Sequence, residues 1–255
     1  MSLYKPLMSD LEKLREAWRR GGFRGILRGM WRRALLRTVE LIKSPLNRDT
    51  SRDPVALLEA RYREMVAARG PSRVLEIGGR ARSGTVASPI PGAHTVVFDI
   101  KAGPNVDVVG DAHRLSAHFE PHSFDAAFAI AVFEHLAMPW KVVLEVNRVL
   151  KPGGLLLIVT HPTFPPHDRP WDFWRYSRDA FRVLLNQRTG FELVECEEGM
   201  PCRVIPLGTE PWMVGLWREP AYLVVAALAR KSGDASDRLT WDVTLEEILD
   251  SSYPA

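Results

Sequence analysis

Phe124-Asp-Ala-Ala-Phe-Ala-Ile-Ala131 and, after a helix-like segment, Leu155-Leu-Leu-Ile-Val-Thr160 decide the fold. A strand solvated on one face alternates apolar and polar residues, whereas a short run that stays apolar is buried on both faces. The segment between the two runs reads as a helix through Leu150, and Lys151-Pro-Gly-Gly154 reads as its breaker. Doubly buried strands separated by helices belong to a largely parallel sheet with helices on each side.

Outward from this unit the same texture continues from residue 72. Arg73-Val-Leu-Glu-Ile77, Thr95-Val-Val-Phe-Asp-Ile100 and the short Val106-Asp-Val-Val109 read as the first three strands. Residues 177–188 read as helix, Phe191-Glu-Leu-Val-Glu195 as a sixth strand, and residues 222–229 as a seventh. Upstream, Asp53-Pro54 opens a helix over 55–69 that Gly70-Pro71 closes. From Asp10 to about Lys43 Leu11, Leu14, Trp18, Phe23, Ile26, Leu27, Met30 and Trp31 recur at helical spacing opposite Arg and Lys.

The composition agrees with one α/β domain carrying extras: 255 residues, 46% hydrophobic and 25% charged, without repeats or low-complexity tracts. That excludes a chain disordered throughout and any collagen-like period. The longest apolar run, Ala221 to Ala229, is half of what a membrane-spanning helix needs. The opening Met1-Ser-Leu-Tyr-Lys-Pro6 lacks an apolar signal core, so a cytoplasmic protein is expected. Cys196 and Cys202 read as reduced thiols rather than a disulfide framework. The net charge of +3 is unevenly spread, with 12 Lys/Arg against 5 Asp/Glu in residues 1–50 and 2 against 6 in residues 231–255. The expected organisation is a basic helical extension (1–70), a body (71–230) and an acidic tail (231–255). In the tail, Trp241, Leu245, Ile248 and Leu249 recur at helical spacing among Glu246, Glu247 and Asp250.

Ligands of an open parallel sheet sit beyond the C-terminal ends of its strands. Here those ends are Glu76-Ile-Gly-Gly79, Asp99-Ile100 and Gly110-Asp111-Ala-His113. A glycine after a strand permits a tight turn and close approach of backbone to ligand. An Asp ending the second strand can accept two hydrogen bonds from a ribose diol. Asp111, one strand further out, can accept from an adenine amino group while a neighbouring N–H reaches a ring nitrogen. Each feature taken alone fits a turn glycine or a solvated Asp equally well.

Three segments taken together are more specific. Val74-Leu-Glu-Ile-Gly78, Phe124 through Glu134-His-Leu136, and Glu145-Val-Asn-Arg-Val-Leu-Lys-Pro-Gly-Gly154 resemble, in order and spacing, the motifs of class I S-adenosylmethionine-dependent methyltransferases. The resemblance covers roughly residues 72–195 and is closest to the small-molecule and glycan-modifying branch. It implies an α/β fold with a Rossmann-like, seven-stranded, mostly parallel sheet, helices on both faces and the last strand antiparallel. It also implies Gly78 and Gly79 against the methionine part of the cofactor, with Glu76 bracing their loop. Asp99, with Ile100 beside it, would hold the ribose, Asp111 with Ala112 would read the adenine, and Ala129, Ile130 and Ala131 would line the far side. The sequence departs from the family at Arg80 and Arg82, where two further glycines are usual. Arg80 is a candidate partner of the cofactor carboxylate, and Ser83-Gly84 a substitute for the missing close approach. Gly84 and Pro89 make residues 81–89 a poor long helix.

Other sheet-based functions fit less well. The Gly-x-Gly-x-x-Gly fingerprint of nicotinamide-dependent dehydrogenases is absent. DNA amino-methyltransferases resemble one another in an Asn/Asp-Pro-Pro-aromatic turn, where this chain has Ala131-Val-Phe-Glu134. A catalytically silent binding protein stays open as the alternative because of the two arginines.

On the acceptor side, methyl transfer from a sulfonium needs positioning, and a hydroxyl acceptor also benefits from a base. His161-Pro-Thr-Phe-Pro-Pro-His-Asp-Arg-Pro-Trp-Asp-Phe-Trp-Arg-Tyr176 reads as a substrate loop after the fifth strand. Trp171 and Trp174 are candidates to stack on a sugar or other ring, with Arg175 beside them, or else to cap the core. His135, His161 and His167 are three candidate bases, each equally readable as a structural histidine. The spacing of His161, His167, Asp168 and Asp172 matches no dedicated ligand motif, so no metal is expected. The basic arm keeps three readings: a helical cap or homo-oligomer contact, a peripheral contact with an anionic membrane, and, least favoured, a nucleic-acid contact. The sequence reading is a methyltransferase using S-adenosylmethionine, acting on an oxygen of a sugar, glycan intermediate or secondary metabolite.

Overall fold

The computed structural model describes residues 52–81, 89–206 and 210–239. The basic arm, Arg82, the Ser83-Gly84 approach and the amphipathic pattern from Trp241 lie outside the described residues. In chain order the elements are α1 (Pro54–Ala67), β1 (Ser72–Ile77), β2 (Ala93–Asp99), β3 (Val108–Val109), β4 (Phe124–Ile130), α2 (Pro139–Val149), β5 (Leu150–Thr160), α3 (Ala180–Leu184), β6 (Phe191–Cys202) and β7 (Ala221–Lys231). The seven strands form one sheet in the order β3-β2-β1-β4-β5-β7-β6. The pairs from β3 to β5 are parallel, and β7 runs antiparallel to both of its neighbours. This is the Rossmann-like, mostly parallel sheet with an antiparallel last strand.

Alternate residues of each apolar run feed two cores, as the two-residue period of a strand requires. Val74, Ala126, Phe128, Leu155, Leu157, Val159, Ala226 and Leu228 pack with Val55, Leu58, Tyr62 and Val66 of α1. Leu75, Ile77, Ala127, Ala129, Leu156, Ile158, Val225 and Ala227 pack on the opposite face with Val142, Val143, Val146 and Val149 of α2. The sequence grouped α1 with the N-terminal extension, yet its buried face is one wall of the sheet's own core. Asp53 caps this helix by accepting from the Val55 N–H at 3.1 Å, and Pro54 stands in its first turn.

Several element boundaries differ from the sequence reading, each for a local reason. The segment after β4 opens with a 3₁₀ turn, Phe133–His135, and α2 starts only at Pro139. Lys151-Pro-Gly-Gly154 follows the end of α2 at Val149, as its reading as a helix breaker requires, but β5 begins at Leu150 rather than Leu155: a register shift between Phe124 and Ala126 absorbs the extra residues, with Gly153 at φ 76. Helix 177–188 shrinks to α3 and a 3₁₀ turn at Gln187–Thr189, because extended Asn186 accepts from Arg188 and Thr189 N–H groups and restarts the chain. In the third strand only Val108 and Val109 pair, since Val106 N–H closes a turn onto the Gly103 carbonyl. Cys196 and Cys202 are both free thiols, and burial pushes the Cys196 thiol up to about 11.

Candidate active site

A cleft opens at the C-terminal ends of β1, β2 and β4, where an open parallel sheet takes its ligands. Its floor is the turn after β1. Gly78 has φ 75, and a Cβ there would lie 2.3 Å from Val132 Cγ2, so both conformation and space demand glycine. A Cβ on Gly79 would strike the Glu76 side chain at 2.5 Å, which shows Glu76 packed against the turn. Burial pushes the Glu76 carboxyl up to about 7. Gly78 lines the cleft, while Glu76 and Gly79 stand behind it as its support.

Asp99 ends β2 and is buried. Its Oδ2 accepts from the Arg80 N–H at 3.2 Å and its Oδ1 from the Lys101 N–H at 2.9 Å, which fixes the plane of the carboxylate. The Arg80 side chain runs over it, with Nε 3.6 Å from Oδ1. That Nε is buried without a hydrogen-bond partner among the described residues. Asp111 caps the 3₁₀ turn Ala112–Ala117, accepting on Oδ1 from His113 N–H at 2.9 Å and contacting His113 Nδ1 at 2.6 Å. Burial alone would push this carboxyl up, but the His113 ring and backbone bonds hold it below the ordinary range. His113 Nε2 accepts from the Met138 N–H at 3.2 Å, so the ring proton sits on Nδ1, facing Asp111.

Asp99, Ile100, Asp111, Ala112 and Arg80 line the cleft together with Ala131 and His135. Ala131 takes φ 53, a left-handed conformation held at the end of β4 by its N–H bond to the Val159 carbonyl at 2.8 Å. Its neighbours do not line the cleft: Ala129 is buried in the core on the α2 side, and Ile130 is exposed.

The loop after β5 is stitched onto the Phe133–His135 turn. The Glu134 carbonyl accepts from the Phe173 and Trp174 N–H groups at 2.9 and 3.2 Å, and the Phe133 carbonyl accepts from the Tyr176 hydroxyl at 2.9 Å. Trp174 Nε1 donates to the Leu136 carbonyl at 2.8 Å, and His135 Nδ1 donates to the Trp171 carbonyl. Trp171 is buried against Met138 and lines the cleft; Trp174 is partly exposed and packs edge-on against Trp140. Arg175 forks onto both oxygens of Asp172 at 2.6 and 2.9 Å and donates to the Phe164 carbonyl, so its donors serve the loop. Those Arg175 bonds hold the Asp172 carboxyl down to about 2.

Of the three candidate bases, His135 lines the cleft, whereas His161 and His167 lie behind it around Glu134. Two cleft neighbours escaped the sequence reading. His113 was quoted only as a strand-end residue, although its spacing from Asp111 is that of a ring returning to a cap. Glu134 was quoted only within a motif, and its burial is visible only in three dimensions.

Residues 92–158 match the family model described as a methyltransferase domain. A demethylmenaquinone methyltransferase of Renibacterium salmoninarum is 34% identical over 108 residues, covering 37% of this chain and 44% of the relative. The match therefore spans less than half of that curated relative. A candidate methyltransferase from Bacillus halodurans C-125 superposes with a TM-score of 0.50 at 18% identity, over 68% of this chain and 98% of that one. The 1,6-didemethyltoxoflavin-N1-methyltransferase of Burkholderia thailandensis, solved with 1,6-didemethyltoxoflavin and S-adenosylhomocysteine, gives 0.49 at 15% identity over 91% and 94%. The Bacillus halodurans likeness shows a shared fold.

Proposed function

We propose that the chain is an S-adenosylmethionine-dependent methyltransferase acting on a hydroxyl of a small molecule such as a sugar, glycan intermediate or secondary metabolite. The observation that carries this reading is the cleft itself, where Gly78, Asp99 and Asp111 converge from three strand ends. The methyltransferase-domain match over residues 92–158 supports its methyltransferase part, and the relative named for demethylmenaquinone supports a small-molecule acceptor. The residues fit an adenosyl amino acid. Asp99 would hold the ribose hydroxyls, Asp111 with the backbone of Ala112 the adenine, and Gly78 admits close backbone approach. The unpartnered Arg80 Nε is a buried donor in need of an acceptor, which a ligand carboxylate supplies. When bound, S-adenosylmethionine supplies an electrophilic methyl group. The chain's own part is to orient the acceptor against Trp171 and to take its proton at His135 Nε2. That nitrogen carries the lone pair because Nδ1 donates to the Trp171 carbonyl.

Among the described residues no helix is long and apolar enough to cross a membrane. A cytoplasmic location is part of this proposal, with residues 1–50 as a cap or self-association surface, or as a peripheral contact with anionic lipid.

The test is calorimetric titration of the full chain with S-adenosylmethionine, repeated on Asp99→Ala. Hydrogen bonds to a charged group contribute about 1.5–3 kcal/mol each, so losing them weakens binding at least about tenfold. An unchanged Kd in the variant removes the cofactor assignment at this strand end.

A further inference from the structure

Glu134 has no exposed surface, a costly place for a carboxylate unless it is compensated. Its Oε2 accepts from the Thr160 hydroxyl at 2.6 Å. Its Oε1 has no hydrogen-bond partner among the described residues. Facing Oε1 instead are three imidazole Nε2 atoms, from His161 at 3.4 Å and from His135 and His167 each at 3.9 Å. The other nitrogen of every ring addresses a backbone carbonyl. His161 Nδ1 lies 2.8 Å from the Leu223 oxygen, His167 Nδ1 3.2 Å from that of Pro165, and His135 Nδ1 2.5 Å from that of Trp171. A carbonyl can only accept, so each neutral ring carries its proton on Nδ1 and its lone pair on Nε2. The Nε2 lone pairs of His161 and His167 and a buried carboxylate oxygen thus share one small space, and like potentials repel until a cation sits between them. Histidines that ligate metals characteristically donate the second N–H to a carbonyl or carboxylate, which fixes the ring.

We propose that Glu134, His161 and His167 bind one divalent transition-metal ion, with His135 beside it as an unligated neighbour on the cleft wall. The ligand atoms of the three lie within 4.8 Å of one another. A tetrahedral ion with bonds of about 2.0–2.1 Å draws its ligands to about 3.4 Å apart. His167, on the loop and 28% exposed in its side chain, has the freedom to close that gap. Two imidazoles and one carboxylate suit zinc, iron(II) or cobalt(II) rather than calcium or magnesium, which prefer oxygen alone. Asp172 takes no part, because Arg175 holds both of its oxygens. Three protein ligands leave a position open, as in catalytic rather than structural sites. Resting on the methyltransferase reading, that position takes the acceptor hydroxyl and acidifies it, and His135 Nε2 receives the proton.

The test uses the full chain, stripped by a chelator and titrated with Co²⁺ alone and with Zn²⁺ alone, with metal content checked by plasma mass spectrometry. One equivalent should bind, with visible cobalt absorption of four-coordinate strength. His167→Ala and Glu134→Gln should each weaken binding on the order of a hundredfold. His167→Ala keeps the test sound should the buried Glu134 variant fail to fold. Failure of the wild-type chain to take up either ion stoichiometrically overturns the site, and so does unchanged affinity in a folded His167→Ala variant. Parallel titration of the metal-free chain with S-adenosylmethionine separates the two readings. Cofactor binding without metal uptake rejects this site and keeps the methyltransferase, whereas metal uptake without cofactor binding does the reverse.

Discussion

Replacing His135 by alanine lowers methyl-transfer turnover about 10²–10⁴-fold, the range a positioned general base supplies. The effect falls on kcat, because His135 lines the cleft with its Nε2 as acceptor while Nδ1 is anchored to the Trp171 carbonyl. Affinity for S-adenosylmethionine stays nearly unchanged, since the cofactor contacts assigned to Asp99, Asp111 and Gly78 lie on other strand ends. Steady-state kinetics combined with calorimetry separates the two quantities. Full turnover in the variant takes the base role away from His135.

Gly78→Ala has the largest effect on stability. A left-handed alanine costs about 1–2 kcal/mol, and forcing a methyl group into a packed site about 1–3 more. The added Cβ meets Val132 Cγ2 at 2.3 Å, so one of the two must move. Together these lower the melting temperature by on the order of 10 °C for a domain of this size. Val132→Ala in the same chain relieves the overlap but not the backbone strain, and therefore restores only part of the loss. A melting temperature equal to that of wild type in the single variant contradicts the turn geometry.

The sheet was legible because its information is local. Val74 to Ile77, residues 124–130 and residues 155–159 each carry both faces of a buried strand in consecutive letters, and the two cores divide them alternately. Lys151-Pro-Gly-Gly154 was legible as the end of α2 at Val149, but the start of β5 at Leu150 was not, because a register shift absorbs the run within the strand. The strand-end glycine and the two Asp residues were legible for the same reason as the strands: position along the run fixes them. The histidine cluster was not. Glu134 and Thr160 are 26 residues apart in sequence and 2.6 Å apart at their oxygens, and no spacing rule spans two strand ends and a stitched loop. Asp172, weighed beside His167 from the sequence without a metal being expected, is held by Arg175 three residues on. Arg80 stands where a glycine is usual in the resembling family, and it lies over Asp99 in the cleft.

The claim that the cleft takes an adenosyl sulfonium cofactor is tested most directly by what the protein carries. The 255-residue chain is purified without added ligand, dialysed against S-adenosylmethionine, gel-filtered and denatured, and the released small molecules are identified by mass spectrometry. The account predicts S-adenosylmethionine or S-adenosylhomocysteine at close to one equivalent per chain, and markedly less from Asp99→Ala. Release of a nicotinamide dinucleotide, or of no adenosyl compound at all, contradicts it.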